Sequence, residues 1–231
     1  NLVTLGSSRQ LAAVPVQPAA HAAAVVFGAI HYEMDSTAIA AAPPQEPAGD
    51  NRGLSFAQTD STLRGESWRY LKYSEMETGN IAAILQKAGI PVALKTGYAA
   101  TEEQFKKIGD PEVPGSPRIL HFSTHGYFFP DQKSTADTGP AANSGSAFKS
   151  SDHPMMRSGL ILAGANHAWK TGSPLGNRED GILTAYEISH LNLSNTKLAV
   201  LSACETGLGD IKGSEGVYGL QRAFKMAGVD Y

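Results

Sequence analysis

The chain has 231 residues, of which 42% are hydrophobic, and 19 basic against 22 acidic side chains leave a net charge of −3. That apolar share suits one domain of above-average size with a real core, and the near-balanced charge gives no electrostatic footprint for nucleic acid or an anionic membrane. Cys204 is the only cysteine, which rules out an internal disulfide framework and fits a reducing, cytoplasmic setting.

The first apolar stretch, Ala19 to Ile30, is interrupted by His21 and Gly28. It falls short of the ~20 residues that span a bilayer, and no basic region precedes it as a signal peptide requires. Ala22 to Ile30 reads as a strand buried on both faces, as in a covered parallel sheet. Residues 34–65, rich in Pro, Gly, Ser and Asp, read as a loop insertion. Ser74 and Glu77 then have capping-box spacing, and Ile81, Ile84, Leu85 and Ala88 follow at helical intervals before Gly89, which predicts a helix over 75–88.

Pro91 to Lys95 reads as a second strand. Thr101 and Gln104 form another capping box, ahead of a helix with Phe105 and Ile108 on one face. A third strand runs from Arg118 to His125, so strand and helix alternate as in right-handed parallel units. Residues 130–158 form a second long loop, and Ser158 to Ala163 is a strand or hairpin arm. Thr184 to His190 reads as a short helix, and Lys197 to Cys204 as a buried strand. After a turn containing Gly207, Gly209 and Gly213, residues 215–227 place Val217, Leu220, Phe224 and Ala227 on one helical stripe that ends at Gly228. Val229 to Tyr231 opens as a further strand. The start at Asn1 and the stop at Tyr231 both read as cuts from something longer.

Two apolar runs end in chemically active side chains, one at His125-Gly126 and the other at Cys204. If they are neighbouring parallel strands, both residues emerge at the carboxyl edge of one sheet, where open α/β folds place their ligand sites. A thiol acts as a nucleophile in its thiolate form, and a nearby imidazole takes its proton and later delivers it to the leaving amine. The backbone N–H groups of Gly126 and Cys204 are candidates for an oxyanion hole. Against this stands the plain alternative of a core cysteine and a turn histidine.

No metal site is expected, because His121 and His125 lie ~13 Å apart along a strand and the other histidines lack ligand spacing. The glycines after 207 contain no phosphate-loop signature, which leaves nucleotide binding as a weak third reading and no cofactor expected. Asp180 and Glu205 are candidates for lining a basic-substrate pocket, with helix N-termini, turns or solvated surface as their ordinary roles.

At these residues the chain resembles the CHAT family of caspase-like domains, often fused to tetratricopeptide repeats. The stretches that carry the likeness run from Ile119 to Phe128, from Ser158 to Asn166, from Glu179 to Ile188 and from Leu201 to Phe224. The resemblance implies a single domain over 1–231 with insertions at 34–65 and 130–158. Its expected fold is a three-layer α/β/α caspase-haemoglobinase-like sandwich with a mostly parallel central sheet, incomplete at the C-terminal end. It also implies a cysteine endopeptidase with His125 as base, Cys204 as nucleophile and Gly126 in the oxyanion hole. The expected partners are a protein substrate and a repeat region in the same longer polypeptide, in a signalling or defence role. The competing reading is a catalytically silent scaffold or interaction module on the same fold.

Overall fold

A computed structural model describes residues 24–34, 66–110, 115–129, 154–176, 178–204 and 215–231. The expected loop at 34–65 lies outside them apart from Met34, as does the loop at 130–158 apart from residues 154–158. The glycine-rich turn at 207–213 is also outside. The described elements are β1 (Ala24–Ile30), α1 (Lys72–Lys87), β2 (Val92–Gly97), α2 (Glu102–Ile108), β3 (Ile119–Phe128), a 3₁₀ turn (Pro154–Met156), β4 (Ser158–Ile161), α3 (Ala165–Thr171), β5 (Ile182–Thr184), α4 (Ala185–His190), β6 (Leu198–Cys204) and α5 (Glu215–Ala227).

β1 lies between β2 and β3, and both pairings are parallel, as is that of β3 with β6. The expectation of a mostly parallel sandwich is corrected beyond this point, since the sheet is mixed. β4 runs antiparallel to the end of β3, with Gly126 opposite Leu160, and β5 runs antiparallel to β4. A short apolar run such as Ser158–Ile161 carries no directional signal. Its orientation comes from the return of the chain beside Phe128, where the Phe129 N–H donates to the Arg157 carbonyl. On the outer edge of β6 the Tyr231 N–H donates to Lys197 and the Ala199 N–H to Tyr231, a parallel-ladder pattern that agrees with the strand expected to open at 229–231.

The buried apolar sequence of β1 is explained by contacts on both of its faces. On one face Phe27 stacks on Phe122 of β3 at 5.0 Å, Phe105 of α2 packs edge-on against both, and Phe224 of α5 lies tilted against Phe122. Each such ring pair adds ~0.5–1.5 kcal/mol beyond the burial of its area. On the other face Gly28 meets α1. A Cβ at Gly28 would lie 2.3 Å from the Thr78 methyl and 2.8 Å from Ser74 Oγ, so only glycine permits the approach.

That approach sets which face of α1 is buried. The buried residues are Ser74, Thr78 and Ala82, one small side chain per turn, while Ile84 is 67% exposed. It also reassigns the first capping box. The helix starts at Lys72 with no side-chain cap, and Ser74 Oγ instead accepts from the Ala29 N–H and donates to the Ser123 carbonyl, each at 2.8 Å. Of the second box the Thr101 cap forms as expected, Oγ1 accepting from the Gln104 N–H, while Gln104 Oε1 accepts from Lys95 Nζ; Phe105 is fully buried.

Candidate active site

β3 and β6 stay in parallel register from Ile119 opposite Leu198 to His125 opposite Cys204. The two residues singled out from the sequence are thus direct register partners at the carboxyl ends of adjacent strands. The Cys204 side chain lies outside the described residues, as does Glu205.

The imidazole of His125 is 6% exposed and held on three sides. The ring of Tyr32 lies 5.1 Å from it and the indole of Trp68 5.0 Å, both tilted. The third contact runs from Nε2 to the Arg69 carbonyl oxygen at 2.8 Å. A carbonyl only accepts, so Nε2 carries the hydrogen and the neutral ring keeps its lone pair on Nδ1. Nδ1 is buried and has no hydrogen-bond partner among the described residues. Burial pushes the His125 pKa below its ordinary value, partly offset by the bond to Arg69. The ring therefore stays neutral, with a free basic nitrogen, to lower pH than a solvated histidine.

Local backbone explains how these rings arrive together. β1 has a register shift between Gly28 and Ile30, with Ala29 at φ +49°, and this irregularity turns the chain toward the end of β3. Tyr32 follows, and its hydroxyl is 3.0 Å from Thr124 Oγ1. Burial raises the Tyr32 pKa to about 12, so the phenol stays protonated. Trp68 and Arg69 belong to a strap before α1, residues 66–70, which lines an open groove of about 520 Å³ together with Glu33. The strap is fixed from the other side by Asn166, whose side-chain amide bonds both the N–H and the carbonyl of Trp68.

Lower on the same face of β3, Glu77 of α1 takes both remaining polar side chains. Ser123 Oγ donates to Glu77 Oε2 at 2.6 Å, and His121 Nε2 lies 3.2 Å from Oε1. Burial lowers the His121 pKa despite that carboxylate. His121 is engaged by Glu77 and His125 by Arg69, so the two histidines make separate contacts.

Asp180 sits in a buried acidic cluster rather than on the strap around His125. Its Oδ1 accepts the Ile182 N–H at 2.8 Å, and burial followed by repulsion from Glu187 raises its pKa to about 7. Glu102, Glu179 and Glu187 bring carboxylate oxygens within 4.8 Å of one another, a spacing compatible with a cation. The cation there is Lys106, whose Nζ lies 2.7, 3.0 and 2.9 Å from the three. The cluster ties α2 to α4 and to the 179–181 turn, where the Gly181 N–H also donates to Glu102.

Trp68, Arg69, Tyr32 and Asn166 had no marker in the sequence as parts of this site. Asn166 closes one of the stretches that carry the family likeness, which is the only signal it offered. No described helix is long and apolar enough to cross a membrane.

The α/β sheet thus sets His125 opposite Cys204 at its carboxyl edge, with the imidazole desolvated and held in one tautomer. The chain belongs to the CHAT domain family, whose pattern it matches over residues 2–231, and that family is related to caspase-like peptidases. No curated protein matches it.

Proposed function

We propose that the chain is a caspase-like cysteine endopeptidase domain that cleaves a protein substrate with His125 as base and Cys204 as nucleophile. The observation that carries this reading is the direct register pairing of the two residues at the ends of β3 and β6. Residues so paired in a parallel ladder share one face of the pleat.

In the proposed reaction the Cys204 thiol passes its proton to His125 Nδ1, and the thiolate attacks the scissile carbonyl. The tetrahedral intermediate collapses as the C–N bond breaks, and the imidazolium protonates the departing amine. Water, deprotonated by the same imidazole, then hydrolyses the thioester and restores the thiol. The Arg69 carbonyl supports the scheme because it steadies the Nε2–H as positive charge develops on the ring. Gly126 fits the oxyanion role. The Phe129 N–H points toward β4, and alternation along β3 turns the Gly126 N–H to the opposite edge, on the side of β6.

The setting we propose is the cytoplasm, within a longer polypeptide that carries a repeat region and acts in signalling or defence. One observation favours the second reading, a silent interaction module. Tyr73, Met76 and Ile84 form an exposed apolar stripe on α1, at 78%, 60% and 67% exposure.

Alkylation of Cys204 between pH 5 and 9, in the parent and in His125→Ala, separates the two. The peptidase reading expects a thiol reactive below pH 7.5 that slows at least tenfold without His125. Equal rates in both proteins would overturn the dyad and leave the interaction module.

A further inference from the structure

The buried amide of Asn166 is the group on which the geometry around His125 converges. Asn166 is fully buried at the start of α3, and its side chain uses both ends. Oδ1 accepts the Trp68 N–H at 2.8 Å. Nδ2 donates to the Trp68 carbonyl at 2.9 Å and to Glu33 Oε1 at 3.1 Å. Its own N–H donates to the Tyr32 carbonyl at 3.1 Å. One residue thus grips the two chain segments whose rings, Tyr32 and Trp68, flank the imidazole. The peptide that Asn166 holds through the Trp68 carbonyl leads directly into Arg69, whose carbonyl receives the His125 Nε2–H.

We infer that Asn166 is a positioning residue, which by clamping Trp68 and Tyr32 sets the Arg69 carbonyl against Nε2 and so selects the imidazole tautomer with its lone pair on Nδ1. This rests on the peptidase reading for its purpose, though not for its geometry. Among the described residues the strap's other contacts include the rings of Trp169 on Trp68 and of His31 on Tyr70, and the exposed bond from the Tyr70 hydroxyl to Glu75, none of which engages the Trp68 N–H or carbonyl. Its Glu66–Arg69 ion pair is 88% exposed on both sides and contributes little. Glu33 also meets Lys170 at 2.7 Å, in a pair that is itself exposed, so the clamp rests on the two buried bonds to Trp68. An aspartate at this position would keep the acceptor for the Trp68 N–H and lose the donor. A hydrophobic residue would lose both and leave the Trp68 N–H and carbonyl unpaired in the interior.

Two measurements on the full-length protein test this. The first is the nitrogen chemical shifts of the His125 ring in the parent, in Asn166→Asp and in Asn166→Ala. The parent is expected to show a single neutral tautomer protonated at Nε2. Both variants are expected to show averaged shifts, with Asn166→Asp retaining the parental fold by circular dichroism. A folded variant that keeps the parental Nε2–H tautomer would overturn the assignment, as would a parent without it.

The second is hydrogen exchange of the Trp68 amide in the unmodified protein, which needs no variant to fold. Protection comparable to β3 is expected from a donor tied to a buried carboxamide. Exchange at the rate of a solvated loop would sink the proposal. A parent that shows the Nε2–H tautomer and a protected Trp68 amide, but an ordinary Cys204 thiol, would remove the peptidase reading and leave the Asn166 clamp standing.

Discussion

Replacing Gly28 with alanine tests how α1 is seated on the sheet, and its cost can be worked out from the contacts. The new Cβ would sit 2.3 Å from Thr78 Cγ2, 2.8 Å from Ser74 Oγ and 3.2 Å from Ser123 Cβ, where ordinary contact begins near 3.4 Å. α1 must therefore retreat by about 1 Å, since the strand is fixed by partners on both edges. That retreat stretches the 2.8 Å bonds of Ser74 to the Ala29 N–H and the Ser123 carbonyl beyond bonding range, and both groups are buried. Overpacking costs ~1–3 kcal/mol, and unpaired buried groups add ~1–3 kcal/mol. The expected loss is about 3–5 kcal/mol, or a fall in melting temperature of roughly 6–20 °C for a chain of this size. Urea denaturation read by circular dichroism measures it, with Gly79→Ala as the internal control. Gly79 lies on the same helix with nothing within 4 Å of its would-be Cβ, so alanine there is expected to stabilise by ~0.8–1 kcal/mol. A Gly28→Ala protein within ~0.5 kcal/mol of the parent would refute this account of the α1 interface.

The acidic cluster supplies two more predictions. Lys106→Met strands Glu102, Glu179 and Glu187 without their shared cation, and a loss of ~3–5 kcal/mol is expected in the same denaturation assay; a change below 1 kcal/mol would mean that the carboxylates find other partners. Asp180 has its folded pKa raised to about 7 from an ordinary 3.8, so the folded state holds a proton that the unfolded chain has released. The parent then loses stability as pH rises from about 4 to 7, while Asp180→Asn, which keeps the acceptor for the Ile182 N–H, has a shallower slope, the remainder coming from Glu102, whose pKa burial also raises. Parallel stability–pH curves for the two proteins would contradict a protonated Asp180.

The parts of the fold visible in the sequence are those where one interaction dominates. The runs ending at His125 and Cys204 were legible as strands from their apolar residues but not in their burial: one face of β3 carries His121, Ser123 and His125, and β6, expected to be buried, leaves Leu198 and Val200 41% and 38% exposed. Phe105 on α2 and Phe224 on α5 were legible as helix stripes because they face a flat aromatic surface on the sheet. α1 was legible as a helix but not in its orientation. Its apolar Ile84 is exposed, while the close approach at Gly28 seats the small side chains of Ser74, Thr78 and Ala82. Ser74 and Glu77 have the spacing of a cap, and nothing local tells whether such side chains turn back on their own helix or reach across to β3. The clamp on the imidazole was hidden for a related reason. Trp68 and Asn166 are 98 residues apart, and no periodicity links them.

The pairing of His125 with Cys204 also governs when the site comes into being. The two partners are separated by roughly 80 residues, so their strands meet only after a long loop closes, a step that topology makes slow. On a ribosome adding ~5–20 residues per second, about 4–16 s pass between the synthesis of one partner and the other. β3 has β1 available as a parallel neighbour well before β6 is made. The nascent chain can thus lay down half of its sheet and bury its histidine while the cysteine does not yet exist, and the two are brought opposite one another in a single late event, the docking of β6.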